Sequence, residues 1–143
     1  MADWEDVRRI VETLPQVTES TTRGHLFWRV SGKGFVWERP LGAKDRADLA
    51  ELGEHAPDGP ILGARTESLT AKEALIDSAP EIYFTTPHFD GYSAVLARLD
   101  VIPPDELWEL IVEAWLAKAP TRLAREYAAF HLPADGPAGG GAP

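Results

Sequence analysis

Leu26-Phe27-Trp28-Arg29-Val30-Ser31-Gly32-Lys33-Gly34-Phe35-Val36-Trp37-Glu38 reads as two strands around a turn. Leu26, Trp28 and Val30 alternate with His25, Phe27 and Arg29, the period of two that sends one set to each face of a half-buried strand. Ser31-Gly32-Lys33-Gly34 supplies turn residues and Phe35-Val36-Trp37-Glu38 resumes an extended run, so 26–39 is predicted to be a hairpin. The same alternation puts Phe35, Trp37 and Arg39 on one face of its second strand. Threonine-rich Val17 to Arg23 is expected to be a strand before it.

Outward from the hairpin the period changes. Trp4, Val7, Val11 and Leu14 recur at helical spacing, with Asp3 placed as a cap and Pro15 as a stop. After Pro40-Leu41-Gly42 a short helix over 44–52 carries Leu49 and Leu52. Ile61 to Thr66 is a candidate strand, and Thr70-Ala71-Lys72-Glu73 matches a capping box for a helix to about Ser78, with Leu69 as its staple. Ile82 to Thr85 and Ala94 to Leu99 are further strands, and Pro103-Pro104 opens a long helix burying Leu107, Leu110, Ile111, Ala114 and Trp115. A last helix covers Thr121 to Phe130. The expectation is one α+β domain over 1–132: a two-layer sandwich whose antiparallel sheet has helices mainly on one face and the other partly open. Residues 133–143, rich in Gly and Pro, are expected to be a disordered tail.

The chain has 143 residues and no cysteine, which excludes disulfides, thiolate zinc sites and cysteine nucleophiles. The acidic start, Met1-Ala2-Asp3-Trp4-Glu5-Asp6, is not expected to be a signal peptide, and no run of apolar residues suits a membrane span. A cytoplasmic protein without membrane contact is the expectation. Net charge is −9, yet 20–46 reverses the sign, with Arg23, Arg29, Lys33, Arg39, Lys44 and Arg46 against Glu38 and Asp45. Arginine interleaved with aromatics offers donors to phosphate and faces for stacking, and the Gly32-Lys33-Gly34 tip could reach a backbone phosphate as a wing. The bland account is that the aromatics are core and the cations pair with the chain's many carboxylates.

Catalytic patterns are lacking: there is no Gly-x-Ser-x-Gly, no His-Glu-x-x-His and no phosphate loop around Lys33. No enzyme activity and no cofactor is expected. His88 and Asp90, two apart in a loop, have a spacing that metal ligands use, but a third ligand at recognisable spacing is missing, so no metal site is assigned.

Several stretches together carry a resemblance. They are Leu14-Pro15 with Val17-Thr18-Glu19, and Phe27-Trp28-Arg29-Val30 with Gly32-Lys33-Gly34-Phe35. Thr86-Pro87-His88-Phe89-Asp90-Gly91-Tyr92 followed by Ala94-Val95-Leu96-Ala97-Arg98-Leu99 is the clearest, and Ala114-Trp115 with Ala119-Pro120-Thr121-Arg122-Leu123 closes the set. Over roughly residues 3–128 the chain resembles the MmcQ/YjbR family of small bacterial proteins. The resemblance implies an α-β-β-β-α-β-β-α core, similar to type III secretion chaperones. It also implies DNA binding, a role attached to the family because its paired hairpins look like a double wing. The leading expectation is therefore contact with double-stranded DNA through 23–46. The alternative is an adaptor whose open sheet face, with His88, Asp90 and Arg98, holds a protein segment or a small anionic ligand.

Overall fold

The structure, a computed structural model, describes residues 2–131; the side chains of the last two are not described, and the tail expected at 133–143 lies outside. Six strands, β1 (Val17–Thr22), β2 (His25–Val30), β3 (Lys33–Glu38), β4 (Ile61–Arg65), β5 (Tyr83–Phe84) and β6 (Ala94–Arg98), form one antiparallel sheet in the order β1-β2-β3-β4-β6-β5. Among the described residues five helices accompany it: α1 (Trp4–Val11), α2 (Ala43–Glu51), α3 (Leu69–Ser78), α4 (Pro104–Lys118) and α5 (Thr121–His131). A 3₁₀ turn spans Pro87–Phe89. The implied α-β-β-β-α-β-β-α order is present, with one further helix and strand in the middle of the chain and α5 after its last helix.

Two-residue turns set the first three strands. Arg23-Gly24 and Ser31-Gly32 all have positive φ, as the tightest antiparallel connections need, because only that twist matches the strands they join. Lys33 therefore belongs to β3 rather than to the turn. The register then writes two rows across the sheet. Trp28 opposes Val36, Val36 opposes Ala64 and Ala64 opposes Val95, all in the main core. On the other face Ser20, Phe27, Trp37, Gly63, Leu96 and Phe84 follow one another strand by strand.

One expected alternation is broken. Arg29 pairs with Gly34 and Trp28 with Val36, so Phe35 is an extra, bulged residue. The bulge turns it into the main core beside Val36, where both are fully buried, and not onto the face of Trp37.

Helices α1, α3, α4 and α5 supply Val7, Val11, Leu75, Leu107, Ile111, Trp115 and Tyr127 to that core, and α2 crosses toward the other face with Leu49. Asp3 caps α1 in a reciprocal box with Asp6, as expected. The cap of α3 is Ser68, which accepts from Ala71 N at 3.1 Å, so the helix starts before Thr70 and Leu69 stays exposed. No helix among the described residues is long and apolar enough to cross a membrane.

A polar tie joins three elements at the buried end of Trp28. Glu19 on β1 accepts from Trp28 Nε1 at 3.0 Å and from Arg8 on α1 at 3.0 and 3.1 Å. These donors, Arg8 first, hold the Glu19 carboxyl below its ordinary 4.5 against the opposing effect of burial. A carboxylate with a depressed value stabilises the fold fully above 4.5 and loses that contribution as pH falls through the folded value. Glu19→Gln should cost about 1–2 kcal/mol at neutral pH, and the gap between variant and parent should narrow as pH falls below the ordinary 4.5. Urea unfolding across that range reads it directly; a gap independent of pH would refute the assignment.

Candidate functional site

Close approach of rings to the backbone shapes the second face. A Cβ on Gly34 would lie 2.4 Å from Phe27 Cε1, and one on Gly63 would lie 2.4 Å from Trp37 Nε1. Both rings thus lie over bare backbone, which is possible only because no side chain rises beneath them. They stack on each other with centroids 5.7 Å apart and planes 13° apart. From the facing loop come Phe89 and Tyr92, 6.1 Å apart, with His88 edge-on to Phe89 at 5.0 Å. Together with Arg65 these groups line a cleft of about 430 Å³.

Phe27, Phe89 and Tyr92 each also meet a guanidinium. Arg29 lies 4.4 Å over Phe27, Arg65 lies 4.6 Å over Tyr92, and Arg39 lies 5.3 Å over Phe89. Such cation–ring contacts leave most guanidinium N–H groups at the edges available as donors. Arg29 spends one of them on Ser20 Oγ at 2.7 Å.

The loop is held from beneath by Lys72, a residue only 4% exposed. Its ammonium donates to Phe89 O at 2.6 Å and Tyr92 O at 2.9 Å. Burial pushes the amine below the ordinary 10.5, and Asp90 and Glu73 pull it back up. Lys72 lies three and four residues before Leu75 and Ile76 on α3, but a lysine there reads as a solvated charge until its acceptors are known.

The six basic residues of 23–46 do not form one patch. Arg39 pairs with buried Asp45 at 3.1 Å, Lys44 with Asp48 at 3.2 Å and Arg46 with Asp58 at 3.3 Å. Arg23 and Lys33 stand at opposite ends of β2, roughly 20 Å apart at strand rise. Of the six, Arg29 and Arg39 reach rings of the aromatic cleft, and Arg39 is already paired with Asp45. Unpaired positive charge gathers elsewhere: Lys33, Arg65 and Lys118 come from β3, β4 and the end of α4, and none has an ion pair among the described residues. Lys118 is pushed below 10.5 first by Arg65, then by burial and Lys33, which records their mutual proximity.

The alternative trio is also divided. His88 lines the cleft, Asp90 lies in the charge field of Lys72, and Arg98 lines a separate cavity. Among the described residues no group of three or more His, Asp or Glu is placed to hold a metal.

These features define an α+β domain with a helix-packed face and an aromatic, arginine-fringed face. The chain belongs to the YjbR family, whose model matches residues 12–117. It is 48% identical over 129 residues to "Uncharacterized protein Rv2570" of Mycobacterium tuberculosis strain H37Rv, covering 90% of this chain and 98% of that protein. "Uncharacterized protein Mb2600" of Mycobacterium bovis matches to the same extent. In fold the chain is similar to the crystal structure of Deinococcus radiodurans protein DR2400, of the DUF419 domain family, with a TM-score of 0.63 and 18% identity over 98% of this chain and 97% of that one.

Proposed function

We propose that the domain is a non-catalytic binding module whose second sheet face takes a small anion bearing a flat, conjugated group. The observation that carries this reading is the cleft itself. Two rings lie flat over glycine backbone, two more close from the loop, and Arg29 and Arg65 stand at the rim. Flat ring faces favour a planar partner, and guanidinium edges favour a carboxylate or phosphate. Lys33 and Lys118 add charge beside Arg65, so an anion is attracted locally despite the net −9. A volume of about 430 Å³ suits a ligand of small-molecule size.

Duplex DNA contacted through 23–46 is the less supported reading, because three of its six cations are already paired with carboxylates. Calorimetric titration separates the two. Adenosine monophosphate should bind at low salt, and adenosine, equally flat but uncharged, should bind at least about ten-fold more weakly. Trp37→Ala and Gly63→Ala should each abolish the adenosine monophosphate signal, the second by pushing the indole off the backbone. Equal affinities for the two probes, or binding indifferent to both substitutions, would overturn the proposal. Salt-dependent binding of duplex DNA that is lost on Lys33→Glu would favour the other reading.

A further inference from the structure

A second cavity of about 430 Å³ lies on the same sheet face beyond Leu96, between the end of β6 and the 54–59 loop. It is independent of the aromatic cleft and shares no lining residue with it. Leu49 and Phe84 form its apolar walls, and Arg98, the last residue of β6, and Asp100, in the turn that follows, both line it.

These two groups carry an unusual debt. Arg98 Nε and Asp100 Oδ1 are both inaccessible to solvent and have no hydrogen-bond partner among the described residues. They do not pair with each other, and Arg98 has no carboxylate within ion-pair distance there. The other nitrogens of Arg98 and Asp100 Oδ2 also make no hydrogen bond among the described residues, and these solvent-reached atoms, not the two sealed ones, are what a ligand in the cavity would meet. Packing shows that the arrangement is built: a Cβ on Gly59 would lie 2.4 Å from Asp100 Oδ2, so glycine at that position lets the loop close over the carboxylate.

The chemistry of the lining selects the ligand. A simple anion would satisfy Arg98 but face Asp100, Glu54 and Asp58; a simple cation would leave Arg98 unmet. Asp58 is already paired with Arg46. A molecule with a carboxylate and an ammonium on neighbouring atoms answers both groups at once, and the Leu49–Phe84 wall suits an apolar side chain. We propose that this cavity is a binding site for a small zwitterion of the α-amino-acid class, with Arg98 holding the carboxylate and Asp100 the ammonium.

The test is calorimetry on the full chain with L-leucine, L-valine, L-glutamate and glycine, beside acetate and methylammonium as the two halves. At least one of the apolar amino acids should bind at least about ten-fold tighter than either half. Arg98→Met and Asp100→Asn should each weaken it by about ten-fold or more, and Trp37→Ala should leave it unchanged. If Arg98→Met fails to fold, Arg98→Lys, which keeps the charge but loses the planar fork, carries the same expectation. Absence of binding by all four amino acids would overturn the proposal. So would acetate binding as tightly as L-leucine with no effect of Asp100→Asn, which would leave an anion site only.

Discussion

Trp28→Ala should remove about 3–5 kcal/mol of stability, a large part of the 5–15 kcal/mol that a domain of this kind holds in reserve. The indole is fully buried at the centre of the main core and stacks on Trp4 at 6.4 Å. Truncation to a methyl leaves a cavity bounded by β-strand backbone on one side and by helix side chains on the other, and neither can collapse far. Thermal unfolding followed by circular dichroism should show Tm lowered by about 10–15 °C. A second consequence is specific to the polar tie. Glu19 loses its indole donor in the variant, so Glu19→Gln should cost less in the Trp28→Ala background than alone, with a coupling of about 1 kcal/mol. Strict additivity would mean that the Glu19–Trp28 bond carries no energy, and a cost below about 1 kcal/mol for Trp28→Ala would place the core elsewhere.

Lys72→Met keeps the length of the side chain and removes its donors. Phe89 O and Tyr92 O also accept from the backbone N–H groups of Tyr92 and Ala94, so the ammonium occupies their second lone pairs. The substitution therefore leaves each carbonyl half-satisfied, and a loss of about 1–3 kcal/mol is expected in place of collapse. Loop 86–92 should lose most of that stability, seen as faster amide exchange there than in β6, and the aromatic cleft should lose affinity with it.

The pH dependence has a definite sign. Because burial lowers the Lys72 value in the fold, the unfolded chain binds more protons between that value and 10.5. Parent stability relative to Lys72→Met should thus increase as pH rises through this window and level off above 10.5. A relative decrease would mean that the ammonium is better solvated in the fold than in water, contrary to its burial. Comparison with the variant is needed because Tyr83, buried and bonded to Glu106 at 2.6 Å, has its phenol pushed upward and lowers stability above 10.

Most of the fold was legible because its signals are short in range. Apolar spacing in α1 and α4 predicted their buried sides, and alternation in β2 placed Leu26, Trp28 and Val30 inward. The failures came where a distant partner decided. Phe35 alternates with Trp37 on paper, but pairing with β2 inserts a bulge that turns it inward. Lys72 looks solvated until the loop some twenty residues later brings two carbonyls to it. The basic reading of 23–46 counted charges correctly and could not count partners: Asp58, which pairs with Arg46, lies outside the window altogether.

Residue order alone determined the family, the α+β class, the strand and helix periods and the presence of aromatic and arginine side chains on alternating positions, since each depends on neighbours within a few residues. Only tertiary structure decided that Phe27, Trp37, Phe89, Tyr92 and Arg65 share one cleft and that Arg39, Lys44 and Arg46 are neutralised in pairs. Strand register and loop closure bring together groups tens of residues apart. Whether a charge is free or paired follows from that geometry and from no local pattern.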